Sequence, residues 1–327
     1  MIGCRPVLSW VAAGLCLTTA ENLLAQAPAA PAAEENAAIA GIGPTGPVTK
    51  LHGGFQFTEG PAADRQGNLF FSDIPSNRIH KVDAAGKLSV YIEPSNHTNG
   101  LMVNARGELV ACEMDGRIVA YAPRASESAA TEPRVITAEH NGARYNAPND
   151  LVVDRAGGVY FTDPHFRAPM PLPQGKTGVY YVDAAGKVTR LIDDLKAPNG
   201  VILSPDEKTL YVIPSQQSEI MAYAVEGPGK IGAGSVLANM KQPEGKTGVG
   251  GDGLTIDTAG NLYIATGLGL QVVSPKGEAL GIIKLPEGPA NVTFAGPENK
   301  TLYVTARTGL YTVPMQATGH VFGATSK

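Results

Sequence analysis

The sequence predicts an all-β chain folded as a six-bladed β-propeller, and three observations carry that expectation. First, one short phrase recurs: a turn flanked by Gly, Pro or Asp, an apolar strand, another turn and a second strand. It opens as Glu59-Gly60-Pro61, Asn99-Gly100-Leu101, Pro148-Asn149-Asp150, Pro198-Asn199-Gly200 and Asp252-Gly253-Leu254, with a weaker sixth copy at Pro289-Ala290-Asn291. Second, the copies lie about 40 to 53 residues apart, a period that suits propeller blades and exceeds that of most short solenoid repeats. Third, the 327 residues include 39 Gly and 25 Pro without the strict triplet period of collagen, which fits a turn-rich β protein. Length alone permits one to three domains, and the repetition decides for one. A β-sandwich with Greek-key links, the alternative, would show no fixed repeat.

Taken in order, residues 1–27 read as a secretory signal. Arg5 supplies a thin positive start, and the apolar stretch Val7 to Leu17 is too short to span a bilayer. Ala25-Gln26-Ala27 fits a small-residue cleavage site, with a cut after Ala20 as the alternative, and a buried or anchoring helix is the competing interpretation. Neither Cys4 nor Cys16 has a lipid-attachment context, since Leu15 precedes Cys16. Residues 28–45, rich in Ala and Pro, are expected to form a disordered spacer, leaving 46–327 as the propeller. After processing Cys112 alone remains, so the mature chain has no internal disulfide, and its apolar neighbours place Cys112 in the core. Export to a periplasm or the medium follows, with no membrane association after cleavage and a monomer expected.

Each blade shows short β-branched and aromatic runs between Gly and Asp turns. The first runs Asn68 to Asp73, Arg78 to Val82 and Leu88 to Tyr91; the third runs Gly158 to Asp163, Gly178 to Val182 and Val188 to Leu191. Three or four strands per repeat, with no amphipathic helix between them, argue for radially arranged antiparallel sheets. The last copy is one strand short. Residues 47–57 are expected to supply it, joining the two ends of the domain and protecting the edges.

In a propeller, residues that open the strand nearest the axis surround the central channel. Glu59, Asn99, Asn149, Asn199, Asp252 and Asn291 all stand at that point, and all carry side-chain oxygens. Two carboxylates and several amides, without thiol or recurring His, suit a hard cation such as Ca²⁺ or Mg²⁺. Zinc would favour His or Cys, and no His pair lies at ligand spacing. Asn-Gly and Asp-Gly are also ordinary turn dipeptides, but a turn does not require an acid at the same point in two copies. A formal net charge of −4 with no basic run argues against a nucleic-acid partner. The absence of a Gly-x-Ser-x-Gly elbow argues against a serine esterase. Metal-assisted hydrolysis of an ester or lactone is the chemistry these residues fit, with Asp252 as the carboxylate that accepts a proton from water.

Several ordered motifs resemble the senescence marker protein/gluconolactonase/luciferin-regenerating-enzyme-like family. They are Glu59-Gly60-Pro61 followed by Ala63 to Asp73, Ala147-Pro148-Asn149-Asp150, Phe161 to Pro164, Pro198-Asn199-Gly200, Gly251-Asp252-Gly253 and Asn291 to Pro297. The likeness covers about residues 48 to 315. It implies a six-bladed propeller with a central metal-binding tunnel holding one divalent ion, calcium first, with magnesium, zinc or manganese as alternatives. By motif, Glu59, Asn199 and Asp252 would be ligands, with Asn149 as the fourth in the bacterial gluconolactonase-like branch. Asn99 matches a substrate-contacting position, Asp252 a residue that is both ligand and general base, and Asn291 receives no role. The implied activity is opening of a sugar lactone, D-glucono-1,5-lactone being representative. A phosphotriesterase on the same site and a non-catalytic binding propeller are the alternatives.

The sequence departs from the family pattern at Ala62-Ala63, where an aromatic residue is usual, and at His165, and both bear on the substrate pocket. His165 joins Asn99 and Asn149 as a candidate substrate contact, while His97 is either a contact or a plain loop residue. Asp73 and Asp163 read as turn caps. Asp150 supports its neighbouring ligand or caps its own turn, and Arg167 is a weak candidate for an anionic substrate.

Overall fold

Tight turns punctuate the strands and show how the sequence folds locally. In the first, the Asp64 carboxylate accepts the backbone N–H groups of Gln66 and Asn68 at 2.9 and 2.8 Å, and Gly67 takes a φ of 83°, open to a residue without Cβ. The same side-chain cap recurs at Asp83, Asp183 and Asp257. The structure, a computed structural model, describes residues 1–3, 36–124 and 132–322. The chain divides into Met1–Glu34 and Glu35–Lys327. Apart from residues 1–3, the expected signal segment lies outside the described residues.

Among its described residues, the second unit contains six four-stranded antiparallel sheets and a two-stranded hairpin. The inner strands are Thr58–Ala63, Thr98–Val103, Leu151–Val153, Pro198–Leu203, Leu254–Ile256 and Pro289–Ala295. Each sheet then runs outward in sequence order, which is the blade pattern of the predicted propeller. The sixth is completed from the other end of the domain: Thr49–Gly53 pairs antiparallel with Gly309–Pro314, Thr49 opposite Thr312 and Gly53 opposite Gly309. The missing strand is therefore found where it was expected, although it uses only part of residues 47–57.

The core is distributed between neighbouring sheets. Phe70, Ile79, Leu101 and Val119 pack between the first and second, and Cys112, Ile118, Leu151 and Phe161 between the second and third. A larger cluster, including Tyr160, Val212, Ile220 and Ile264, spans the third to fifth. Phe55, Phe71, Ala295 and Leu310 close the ring between sixth and first. Buried on both faces, the second strands read as near-continuous apolar runs.

The spacer expectation needs correction over residues 36–45. Asn36 is hydrogen-bonded both ways to the Lys284 backbone, and Ile42 is buried among Tyr263, Leu270 and Val313. One buried isoleucine with paired backbone groups makes this stretch part of the fold despite its composition.

Candidate metal and catalytic channel

Every phrase residue lies at an irregularity of its inner strand. Pairing gains an extra residue between Glu59 and Ala62, between Thr98 and Leu101, between Pro198 and Val201, and between Pro289 and Asn291. In the third and fifth sheets, regular pairing begins only after the phrase, at Leu151 and Leu254. A bulge twists the strand and re-aims a side chain, here toward the axis.

Hydrogen bonds link the phrases into a ring. The Ser72 hydroxyl donates to the Asn99 carbonyl at 2.7 Å, and Gly100 N–H donates to the Asn149 carbonyl at 2.8 Å. Thr162 reaches the Asn199 carbonyl at 2.7 Å, and Ser215 the Gly251 carbonyl at 3.0 Å. Gly253 N–H bonds Ala290, and Thr58 N–H bonds Arg307, each at 2.8 Å. Space at the axis is short: a Cβ on Gly60 would land on the Asn99 carbonyl, and one on Gly253 on the Asn291 side chain.

The carboxylates converge across this ring. Glu59 is 3% exposed and accepts the Gly60 N–H at 3.0 Å. Burial first, then the charge of Asp252, holds its carboxyl well above the usual range, while the Asn291 side chain bonds it. Asp252 is partly exposed. Burial raises it to about 6, offset by a hydrogen bond from Asn199 and by the positive charge of Arg307. The Asn199 amide also donates to Ser215 at 2.9 Å, which leaves its oxygen free. Asn99 and Asn149 are each 4% exposed, yet their side chains bond no other described residue. Both residues stand at or just before the start of an inner strand, at the same point of the repeat as Glu59 and Asp252, so their amides are available to a ligand at the axis.

Asp150 belongs to the same cluster. Four copies carry Gly directly after the phrase residue, at Gly60, Gly100, Gly200 and Gly253, whereas the third carries Asp150. Its carboxyl accepts its neighbour's N–H, from Leu151 at 2.9 Å. It also bonds the Val201 backbone and Asn291 across the axis, and burial pushes it up to about 7. The structure thus brings Glu59, Asp252, Asn199, Asn291 and Asp150 into direct contact or electrostatic range. Behind them the channel continues as a cavity of about 300 Å³, lined by the next inner-strand residues such as Leu101, Val201 and Val292.

At the phrase end of the channel, Phe57 packs with Ile74, Met114, Ala147 and Phe166, an apolar wall absent from the sequence expectations. His165 stands beside it, its ring centroid 4.9 Å from that of Phe166. His97 instead pairs with Asp115 at 3.1 Å, which gives it a loop-holding task. Asp73 accepts the N–H of Phe57 at 3.0 Å, and Asp163 those of Asn146 and Ala147 at 2.9 and 2.7 Å. Both acids therefore brace the segments leading into Glu59 and Asn149.

The SMP-30/gluconolactonase/LRE-like region matches residues 57–308. The chain belongs to this family. It is 29% identical to a gluconolactonase of Zymomonas mobilis over 292 residues, covering 80% of this chain and 79% of that one. It is 32% identical to lactonase drp35 of Staphylococcus epidermidis over 236 residues, covering 70% and 69%. Among solved structures, a gluconolactonase from Xanthomonas campestris superposes with a TM-score of 0.73 at 30% identity, over 82% of this chain and 89% of that one. The superposition shows that the Xanthomonas protein shares the blade architecture, and the names of all three agree with the hydrolytic chemistry the channel residues suggested.

Proposed function

We propose that this chain opens a sugar lactone, D-glucono-1,5-lactone being the representative substrate, by divalent-cation-assisted hydrolysis in the channel. The observation that carries this reading is a pair of mutually repelling carboxylates, Glu59 and Asp252, bonded by the amides of Asn291 and Asn199 from other blades. Repulsion of this kind is relieved by a bound cation, and an all-oxygen donor set fits calcium before zinc. Glu59, Asn149, Asn199 and Asp252 would hold the ion. When bound, it would polarise the lactone carbonyl and acidify a water molecule.

The chain's own groups do the rest. Asp252, partly exposed at the axis, accepts the proton as water oxygen bonds the carbonyl carbon. The ring C–O bond then breaks, and the proton passes to the departing alkoxide oxygen. Asn99 orients the sugar hydroxyls through its unpaired amide. Phe57, Ile74, Met114 and Phe166 wall the mouth and limit bulk water. The segment 1–27 supports an exported enzyme, which fractionation of the expressing cell would check.

Lactone opening followed in a pH-stat tests the reading. Chelator and Asp252→Asn should each lower the rate by about 100-fold or more. Activity indifferent to both would overturn it.

A further inference from the structure

The mouth of the channel carries a cation whose charge reaches Asp252 but whose N–H donors hydrolysis itself leaves unused. Arg307 occupies the turn between Thr301–Ala306 and Gly309–Pro314 and has a φ of 48°. Its carbonyl accepts the Thr58 N–H at 2.8 Å and the Thr58 hydroxyl at 3.3 Å. That pins it to the residue preceding Glu59. Its guanidinium lies over the Phe57 ring, 5.3 Å from the centroid.

The guanidinium makes no hydrogen bond or ion pair with another described residue. By contrast, Arg106 and Arg134 pair with Glu108, Arg117 with Glu113 and Arg155 with Glu207. Glu287, which bonds the adjacent Thr308 N–H at 2.9 Å, is already committed to Lys50 at 2.7 Å and Tyr311 at 2.6 Å. Arg144, in the hairpin leading to Asn149, spends its donors on the Tyr145 and Asn146 carbonyls. Stacking on an aromatic face fixes the plane of an arginine without consuming its N–H donors. The result is an oriented, exposed fork at the entrance, within electrostatic range of Asp252 but not ion-paired with a carboxylate among the described residues.

We propose that Arg307 is an anion-recognition residue, and that the preferred substrates are sugar lactones bearing a carboxylate or phosphate remote from the reacting carbonyl. A neutral lactone has nothing that requires a guanidinium there, whereas both anions match its two parallel donors. The assignment rests on the lactonase reading above. It adds a substrate class to that reading.

The test compares kcat/KM for D-glucono-1,5-lactone, its 6-phosphate and D-glucaro-1,4-lactone, using metal-loaded wild type, Arg307→Gln, Arg307→Lys and Arg167→Gln. Wild type should prefer at least one anionic lactone by roughly 10- to 100-fold, the worth of a charge-assisted hydrogen bond. The preference should shrink with added salt. Arg307→Gln should abolish it, and Arg307→Lys should keep part of it, since charge remains but the fork is lost. The phosphate and carboxylate arms show which anion is the better fit. No preference in wild type, an equal loss on all three lactones in Arg307→Gln, or collapse of the preference in Arg167→Gln instead would overturn the assignment. If none of the lactones is hydrolysed, the lactonase reading has failed on its own. Calorimetric binding of gluconate 6-phosphate and glucarate against gluconate then decides Arg307 separately. An anion preference lost in Arg307→Gln supports it, and the absence of one sinks it.

Discussion

Replacing Glu59 with Gln should move the stability of this protein in opposite directions with and without a divalent cation. The side chain is 3% exposed, and one oxygen accepts the Gly60 N–H at 3.0 Å. Glutamine keeps that shape and that acceptor while removing the charge facing Asp252. Unit charges about 4 Å apart repel by about 4 kcal/mol at an effective dielectric near 20. Because burial and Asp252 raise the Glu59 carboxyl, the folded metal-free protein keeps a proton that the unfolded chain releases. Its stabilising contribution is therefore whole at low pH and lost as pH rises through the raised range. Glutamine has no proton to lose. In chelator, wild type and Glu59→Gln should melt together near pH 4, and the variant should be more stable by about 2–4 kcal/mol at about pH 8. That corresponds to roughly 5–10 °C in Tm. In excess calcium the order inverts, because the variant has lost one of two ligand charges. Its Kd should rise about 30- to 1,000-fold, the same free energy read as affinity. Scanning calorimetry across this pH range, with chelator and with calcium, and calcium titration calorimetry measure both halves. Parallel pH curves in chelator, or an unchanged Kd, would refute the reasoning.

Three further outcomes follow from the same structure. Deleting residues 48–53 removes the strand that covers Gly309–Pro314, so the truncated protein should lose cooperative unfolding and associate through the bare edge, visible by light scattering. Asp163, raised to about 7 chiefly by burial, should make metal-free wild type less stable as pH rises from about 4 to 7. Asp163→Asn, short of one acceptor for Asn146 and Ala147, should cost about 1–3 kcal/mol at low pH and progressively less toward neutrality. A gap in Tm that does not narrow would count against this. Cys112, fully buried with its thiol pushed well above the ordinary value, should react with a disulfide reagent only on unfolding. Cys112→Ala should cost about 1–2 kcal/mol and leave lactone hydrolysis intact.

The sequence was most legible where one residue's role is repeated. The period of the phrase and the short last blade were both readable, since each depends on local pattern or simple counting, whereas Asp73 and Asp163, read as turn caps, bond backbone groups of the preceding segment instead. The reading was poorer wherever a side chain's partner lies in another blade. Asp150 left two roles open because its partner Asn291 is remote in sequence; across the axis the two bond each other. His97 was ambiguous until Asp115 stood beside it. Arg307 and the Phe57 wall gave no motif at all. The composition of residues 28–45 pointed to disorder, whereas Ile42 shows that one well-placed apolar side chain can outweigh such a bias.

By itself, then, the sequence determined that this chain is a closed ring of β-blades and which side chains stand at the repeated inner position, because periodicity and turn chemistry are local properties. Only the tertiary structure decided how those side chains meet. The bulges turn them to the axis, glycines in four of the copies make room there, and burial couples Glu59 to Asp252 across a separation of 193 residues. Such coupling depends on distance and dielectric in space, and neither can be read along a chain.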